Sequence, residues 1–190
     1  MKYIFFDTET TGVPKNYNAP SSNTDNWPRL VQLAWILTDD HGETINSGNL
    51  IVKPNGFTIP IEASRIHGIT TEKALKEGVD LENAISQFKA DFDEATYVVG
   101  HNVSFDKKIV GAEMIRLHTT DIMDTKRSFC TMQASTNYCR IPGKYGFKYP
   151  KLQELHRKLF GCDFDNAHDA LSDIRATEKC FWEMRKRKLI

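Results

Sequence analysis

Hydrophobic positions along the chain follow two periods in turn. Tyr3, Ile4, Phe5 and Phe6 run without a polar break, the mark of a buried strand, and predict a strand over residues 2–7. Residues 30–38 and 44–52 predict two more, joined through Asp39-Asp40-His41-Gly42 as a hairpin. The spacing then lengthens to that of helices. Residues 60–67 predict a short helix closed by Gly68, and Thr70 caps a second that runs to Glu77. Leu81, Ala84, Ile85, Phe88 and Phe92 share one face of a third, with Asp80 at its N-cap. A short buried strand over 96–100 leads into a helix over 104–117 that turns Ile109, Val110, Met114 and Leu117 inward. Residues 128–132 predict a further strand, and Pro150 opens a helix with Leu152, Leu155 and Leu159 on one side and Gly161 at its end. Residues 169–186 predict the last helix, striped by Ala170, Ile174, Thr177, Phe181 and Met184. Three β segments followed by strand–helix alternation predict an α/β layer with a mixed central sheet flanked by helices.

Two segments break the pattern. Residues 14–28 are almost wholly polar, with Pro14, Pro20 and Pro28; an insertion of that length without structure of its own is normally functional or disordered. Residues 140–151 interleave Arg140, Lys144, Lys148 and Lys151 with Tyr145, Phe147 and Tyr149, which suits either a surface tracking a nucleic-acid backbone or an ordinary exposed loop.

The 190 residues predict one domain over 1–190, large enough to bury a core without disulfides or structural metal. With 40% apolar and 26% charged residues, the chain is neither disordered nor collagen-like. It has no apolar run near the roughly 20 residues that span a bilayer. The N-terminus turns acidic at Asp7, too early for a signal peptide, so a cytoplasmic protein with four reduced cysteines is expected. The zero net charge hides an asymmetry: residues 1–100 carry 8 basic against 14 acidic side chains, and the remainder 17 against 11. One half offers clustered carboxylates and the other a partner for a polyanion, unless folding mixes them. The basic run Arg185-Lys186-Arg187-Lys188 reads as a solvated helix end.

The chemistry lies at three places. Asp7 and Glu9, two residues apart on a strand, point to one face, where each opposes the other's ionisation and a divalent cation relieves the repulsion. An all-oxygen donor set suits Mg²⁺ or Mn²⁺. Thr10-Thr11-Gly12 follows, with hydroxyls and open backbone for a phosphate or sugar. Second, His101-Asn102-Val103-Ser104-Phe105-Asp106 leaves the end of a central strand, where α/β proteins place ligands. Third, His168-Asp169-Ala170-Leu171-Ser172-Asp173 opens the last helix; His168 and Asp173 converge only if His168 precedes the helix, with Asn166 or Asp169 as cap.

These three peptides, in this order and spacing, resemble the three motifs of DnaQ-like, DEDDh-type 3′–5′ exonucleases. Ile66-His67-Gly68-Ile69 is similar to a peptide of the proofreading epsilon subunits of bacterial DNA polymerase III. Val31-Gln32-Leu33-Ala34 and Lys151-Leu152-Gln153-Glu154-Leu155 fit the family's second strand and penultimate helix, and the likeness spans residues 2 to about 182. It departs in the long insertion at 14–28 and in the absence of a polymerase-tethering segment before Ile190, which leaves stable polymerase association open. The resemblance implies a ribonuclease H-like fold and two divalent cations. Asp7, Glu9 and Asp173 would hold the first, with Asp7 bridging to the second and Asp106 reaching that one directly or through water. It implies His168 as general base, Glu9 near the terminal 3′-hydroxyl, and substrate contacts from Thr8, Thr10, Thr11, Gly12, His67, Asn102 and Phe105. The implied activity is removal of nucleoside monophosphates from the 3′ end of single-stranded nucleic acid, DNA before RNA. RNA trimming at the same site, a haloacid-dehalogenase-type phosphatase and a non-catalytic nucleic-acid-binding module are the rival readings.

Overall fold

The computed structural model describes residues 1–165 and 169–190. Strands β1 (Tyr3–Thr10), β2 (Leu30–Thr38), β3 (Thr44–Ile51), β4 (Tyr97–Gly100) and β5 (Arg127–Cys130) form one sheet in the order β3-β2-β1-β4-β5. The first three are antiparallel and the last two run parallel to β1, so the sheet is mixed. Helices α1 (Ile61–His67), α2 (Thr71–Glu77), α3 (Leu81–Glu94) and α4 (Val103–Arg116) lie between β3 and β5 in sequence. The short helices α5 (Thr131–Ala134) and α6 (Thr136–Cys139) follow, then a ribbon of β6 (Pro142–Gly143) and β7 (Gly146–Phe147). Helices α7 (Leu152–Phe160) and α8 (Ala170–Lys186) close the chain. Among the described residues no helix is long and apolar enough to cross a membrane.

Strand alternation sorts the side chains of β1 between two helical layers. Ile4 and Phe6 join Leu33, Trp35, Leu37 and Val98 in the main core, with Phe88 and Phe92 of α3 and Ile109 and Val110 of α4. On the other face Tyr3 and Phe5 meet Phe181, while Ala34 and Ile36 of β2 meet Ala170 and Ile174, all three helical residues from α8. The stripe read from the sequence of α8 is the buried one: Ala170, Ile174, Thr177, Phe181 and Met184.

Local signals place most element ends. Gly68 and Gly161 end their helices in the left-handed conformation, at φ 73° and 77°, and the Thr70 hydroxyl accepts from Lys73 N–H at 3.1 Å. Several expectations need correction. The first strand continues three residues past Asp7, because β2 pairs with it as far as Thr10. Asp80 occupies its N-cap without a side-chain hydrogen bond, and the helix expected from Pro150 begins at Leu152. The strand expected over 128–132 stops at Cys130 and turns into α5. Residues 14–28 are ordered, carrying a 3-10 turn at Thr24–Asn26 and burying Ala19, Ser21, Asn26 and Trp27. Trp27 donates through Nε1 to the Pro20 carbonyl at 3.0 Å, so an apolar anchor holds a segment whose composition reads as loop.

Candidate active site

The site lies at the C-terminal end of β1, where the sheet leaves a gap. The β1–β4 ladder has its last pair at Phe5↔Val99 and β4 ends at Gly100, whereas β1 runs on to Thr10 held by β2 alone. The N-terminus of α4 fills the gap. Asp106 accepts the Thr8 backbone N–H at 3.1 Å and the Thr8 hydroxyl at 2.7 Å, so its carboxylate takes the ladder position that β4 vacates. Asp106 is 3% exposed, which rules out the alternative of a surface charge favoured by the helix dipole.

Asp7 and Glu9 continue the Tyr3–Phe5 side of β1, so they face α8. Asp169 caps that helix by accepting Ser172 N–H at 3.1 Å, and Asp173, one turn on, points back to the strand. Asp7, Glu9 and Asp173 each bring a carboxylate oxygen within 4.8 Å of the others. The acidic excess of residues 1–100 does not map onto the site, because each half of the chain contributes two of the four carboxylates.

The electrostatics are those of crowded like charges. Burial, then Asp106, Asp173, Glu9 and Asp169, push the Asp7 carboxyl well above the carboxylate range. Burial and the neighbouring Asp173, Asp106 and Asp169 raise Glu9 to about 8. Burial raises Asp106 to about 7 against the opposing Thr8 hydrogen bonds, with Asp173 adding to the rise. Among the described residues no lysine or arginine forms an ion pair with Asp7, Glu9 or Asp106. Converging carboxylates that oppose one another's ionisation fit a divalent metal of the Mg²⁺ or Mn²⁺ type.

The remaining predicted residues divide. Thr8 uses its hydroxyl on Asp106, and Thr10 donates its own to the Gly12 carbonyl at 2.7 Å. Thr11 accepts Arg29 N–H on its hydroxyl and donates its N–H to the Arg29 carbonyl, each at 2.9 Å. The expected free hydroxyls are therefore engaged within the protein. Gly12 is exposed, with φ +153° and open space where a side chain would stand. His67 is buried; its Nδ1 accepts Ile69 N–H at 3.1 Å, and burial lowers its pKa against an opposing contact with the Thr10 backbone. Asn102 caps α4 in the left-handed conformation, at φ 77°. Phe105 is half-buried between Tyr17 and Trp27, with ring centroids 6.5 and 6.4 Å away, so the 14–28 insertion walls that side of the site. His168 and Asn166 lie outside the described residues.

Two supports were not read from the sequence. Gln32 sits opposite Glu9 in the β1–β2 register and is buried. Its Nε2 donates to Asn49 Oδ1 at 2.8 Å and reaches Asp169 Oδ1 at 3.5 Å, linking β2 to the start of α8. A lone amide in the apolar run of β2 was its signal. His101 bridges the Thr131 hydroxyl at 3.0 Å and the Pro150 carbonyl at 2.9 Å, and burial lowers its pKa to about 4, so it is a neutral structural link.

The family model described as Exonuclease (RNase_T) matches residues 4–181. The chain is 27% identical over 190 residues to the PolC-type DNA polymerase III of Staphylococcus aureus, covering 96% of this chain and 11% of that protein. It is 29% identical over 181 residues to the uncharacterized exonuclease CP81 of Escherichia phage 186, covering 92% and 83% of the two chains. Among solved structures, E. coli exonuclease I in complex with a 5cy-dT13 oligonucleotide superposes with a TM-score of 0.78 at 21% identity, over 99% of this chain and 42% of that one. Exonuclease I from Methylocaldum szegediense superposes at 0.76 with 25% identity, over 98% and 41%. The chain thus spans about a tenth of the polymerase and about two fifths of the exonuclease I chains. The shared fold is ribonuclease H-like, as the sequence resemblance implied.

Proposed function

The chain belongs to the RNase_T exonuclease family, and from that premise we propose that it hydrolyses the terminal phosphodiester bond at the 3′ end of single-stranded DNA, releasing nucleoside monophosphates. One observation carries the reading. Asp7, Glu9 and Asp173 converge at a sheet end with Asp106 beside them, and among the described residues Asp7, Glu9 and Asp106 have no cationic side chain to neutralise them. A phosphatase of the haloacid-dehalogenase type needs an aspartate where this chain has Glu9, and a binding module gains nothing from such mutual repulsion.

Asp7, Glu9 and Asp173 would hold one cation, and Asp7 and Asp106 a second. Bound there, divalent cations relieve charge on the attacking and leaving oxygens. The protein supplies the rest. Thr8 fixes the Asp106 carboxylate through two hydrogen bonds, which leaves its second oxygen for the site. Glu9 stands next to Asp7 on the strand and accepts from the terminal 3′-hydroxyl, which selects chain ends over internal bonds. His168, directly before the Asp169 cap, takes the proton from the attacking water; an imidazole is suited to that at neutral pH. Asn102, Phe105 and Gly12 border the terminal nucleotide.

The test is digestion of 5′-labelled single-stranded DNA, single-stranded RNA and circular DNA, with Mg²⁺ or Mn²⁺ and with excess chelator. A one-nucleotide ladder from the 3′ end of linear DNA, blocked by a 3′-phosphate and abolished by chelation, is the expected result. Cutting of the circle, or full activity in chelator, would refute it. Faster loss of RNA than DNA would reassign the substrate and keep the chemistry.

A further inference from the structure

Four aromatic side chains are largely exposed among the described residues. Tyr17 borders Phe105, and Tyr145, Phe147 and Tyr149 stand on the β6–β7 ribbon and the strand leaving it, 90%, 50% and 58% exposed. We propose that this ribbon is a second contact for the substrate, a stacking platform for unpaired bases 5′ of the bond that is cut. The inference rests on the nuclease reading above.

Position comes first. His101 lies two residues beyond Val99, as Asp7 lies two beyond Phe5, and Phe5 and Val99 are register partners. The β1–β4 ladder ends at that pair, so His101 lies in the bend that follows β4, at the sheet end from which β1 runs on to Asp7. The His101 ring grips the Pro150 carbonyl at 2.9 Å, which ties the base of the ribbon to the sheet end that carries the carboxylates. Five residues separate Pro150 from Tyr145, a reach of up to about 16 Å in extended chain. That length serves the strand upstream and not the terminal nucleotide.

Chemistry comes second. Strands of two residues build no core, and an isolated hairpin is marginal in water, so these rings are not exposed for the sake of packing. Lys148 pairs with Glu154 at 2.8 Å and Lys151 acts on the same carboxylate, whereas Arg140 and Lys144 form no ion pair among the described residues. The Lys144 ammonium stands 5.0 Å from the Tyr145 ring centre. Rings alternating with unneutralised cations match bases alternating with phosphates, and stacking tolerates any base. A protein partner fits less well, since lysine is depleted in the cores of protein interfaces.

The experiment compares kcat/KM on dT30 and dT3 for the wild-type chain and the double variant Tyr145→Ala/Tyr149→Ala. Both side chains are exposed, so circular dichroism and the melting temperature stay unchanged. Wild type favours dT30, and the variant loses roughly tenfold or more on dT30 while keeping its rate on dT3. Tyr145→Trp, which retains a ring, keeps the dT30 rate. A variant with an unaltered preference for dT30 overturns the proposal and leaves the ribbon to a protein partner. A wild-type chain that cuts neither substrate removes the nuclease reading, and the inference with it.

Discussion

Helix α4 carries two buried carboxylates seven residues apart, and they live in opposite surroundings. Glu113 is 0% exposed and fully matched: Arg29 Nε reaches it at 2.9 Å, Arg116 Nη1 at 2.8 Å, and the Leu30 N–H donates at 3.0 Å. Arg116 also donates to the Thr24 and Trp27 carbonyls, so the cluster ties the 14–28 insertion to α4. Asp106, two turns earlier, is almost as buried but among the described residues has no ion pair, accepts from Thr8 and faces Asp173, and its pKa rises to about 7. One buried charge is neutralised within the chain and fastens it. The other sits among like charges, the kind of surroundings that cluster at functional sites.

Four measurements sharpen or break this contrast. The largest effect is on turnover. Asp106→Asn keeps an oxygen to accept both Thr8 donors but removes the charge, and should cost roughly 10³-fold or more in kcat, as should Asp7→Asn. Glu113→Gln in the same assay should stay near wild type per folded molecule. Equal losses in the two would erase the distinction. Next comes His168→Ala, expected to lower kcat by about 10²–10⁴-fold and to remove the limb on which activity rises with pH. Divalent-cation binding, followed by calorimetry, should survive because no ligand is lost. Near wild-type turnover would end the general-base assignment.

The third is a stability effect. Glu113→Ala strands Arg29 and Arg116 beside a buried vacancy and should cost about 3–5 kcal/mol. For a chain of this length that lowers the melting temperature by about 10 °C. A shift under about 2 °C would show that the pair is dispensable.

The smallest effect has the opposite sign. Raised carboxyl pKa values mean that folding takes up protons between the ordinary carboxylate range and about 8, so the metal-free protein loses this stability as pH rises through that window. In chelator, Asp106→Asn should therefore melt higher than wild type at pH 8, with the gap closing toward pH 5. Mg²⁺ should stabilise wild type most at pH 8. A gap that widens toward pH 5 would mean that the site carboxylates are not the cause.

Sequence patterning determined much of this protein. The period of two in β1 put Asp7 and Glu9 on one face, and glycine and threonine at helix ends set the bounds of α1, α2 and α7, because these features depend on residues within a turn or a strand step of each other. Three acidic motifs in order carried the resemblance to an exonuclease family. Only the tertiary structure decided what spans longer separations. Asp106 meets Thr8 across 98 residues, and Glu113 meets Arg29 across 84. Both depend on where β4 stops and how α4 enters the gap, which no local period encodes. The polar insertion read as loop by composition because the Trp27 ring meets Phe105, and Arg116 meets the Thr24 and Trp27 carbonyls, only when α4 is in place. The ribbon was likewise unreadable: its strands are too short to show alternation, and its tether is a single carbonyl bonded to a histidine 49 residues earlier in the chain.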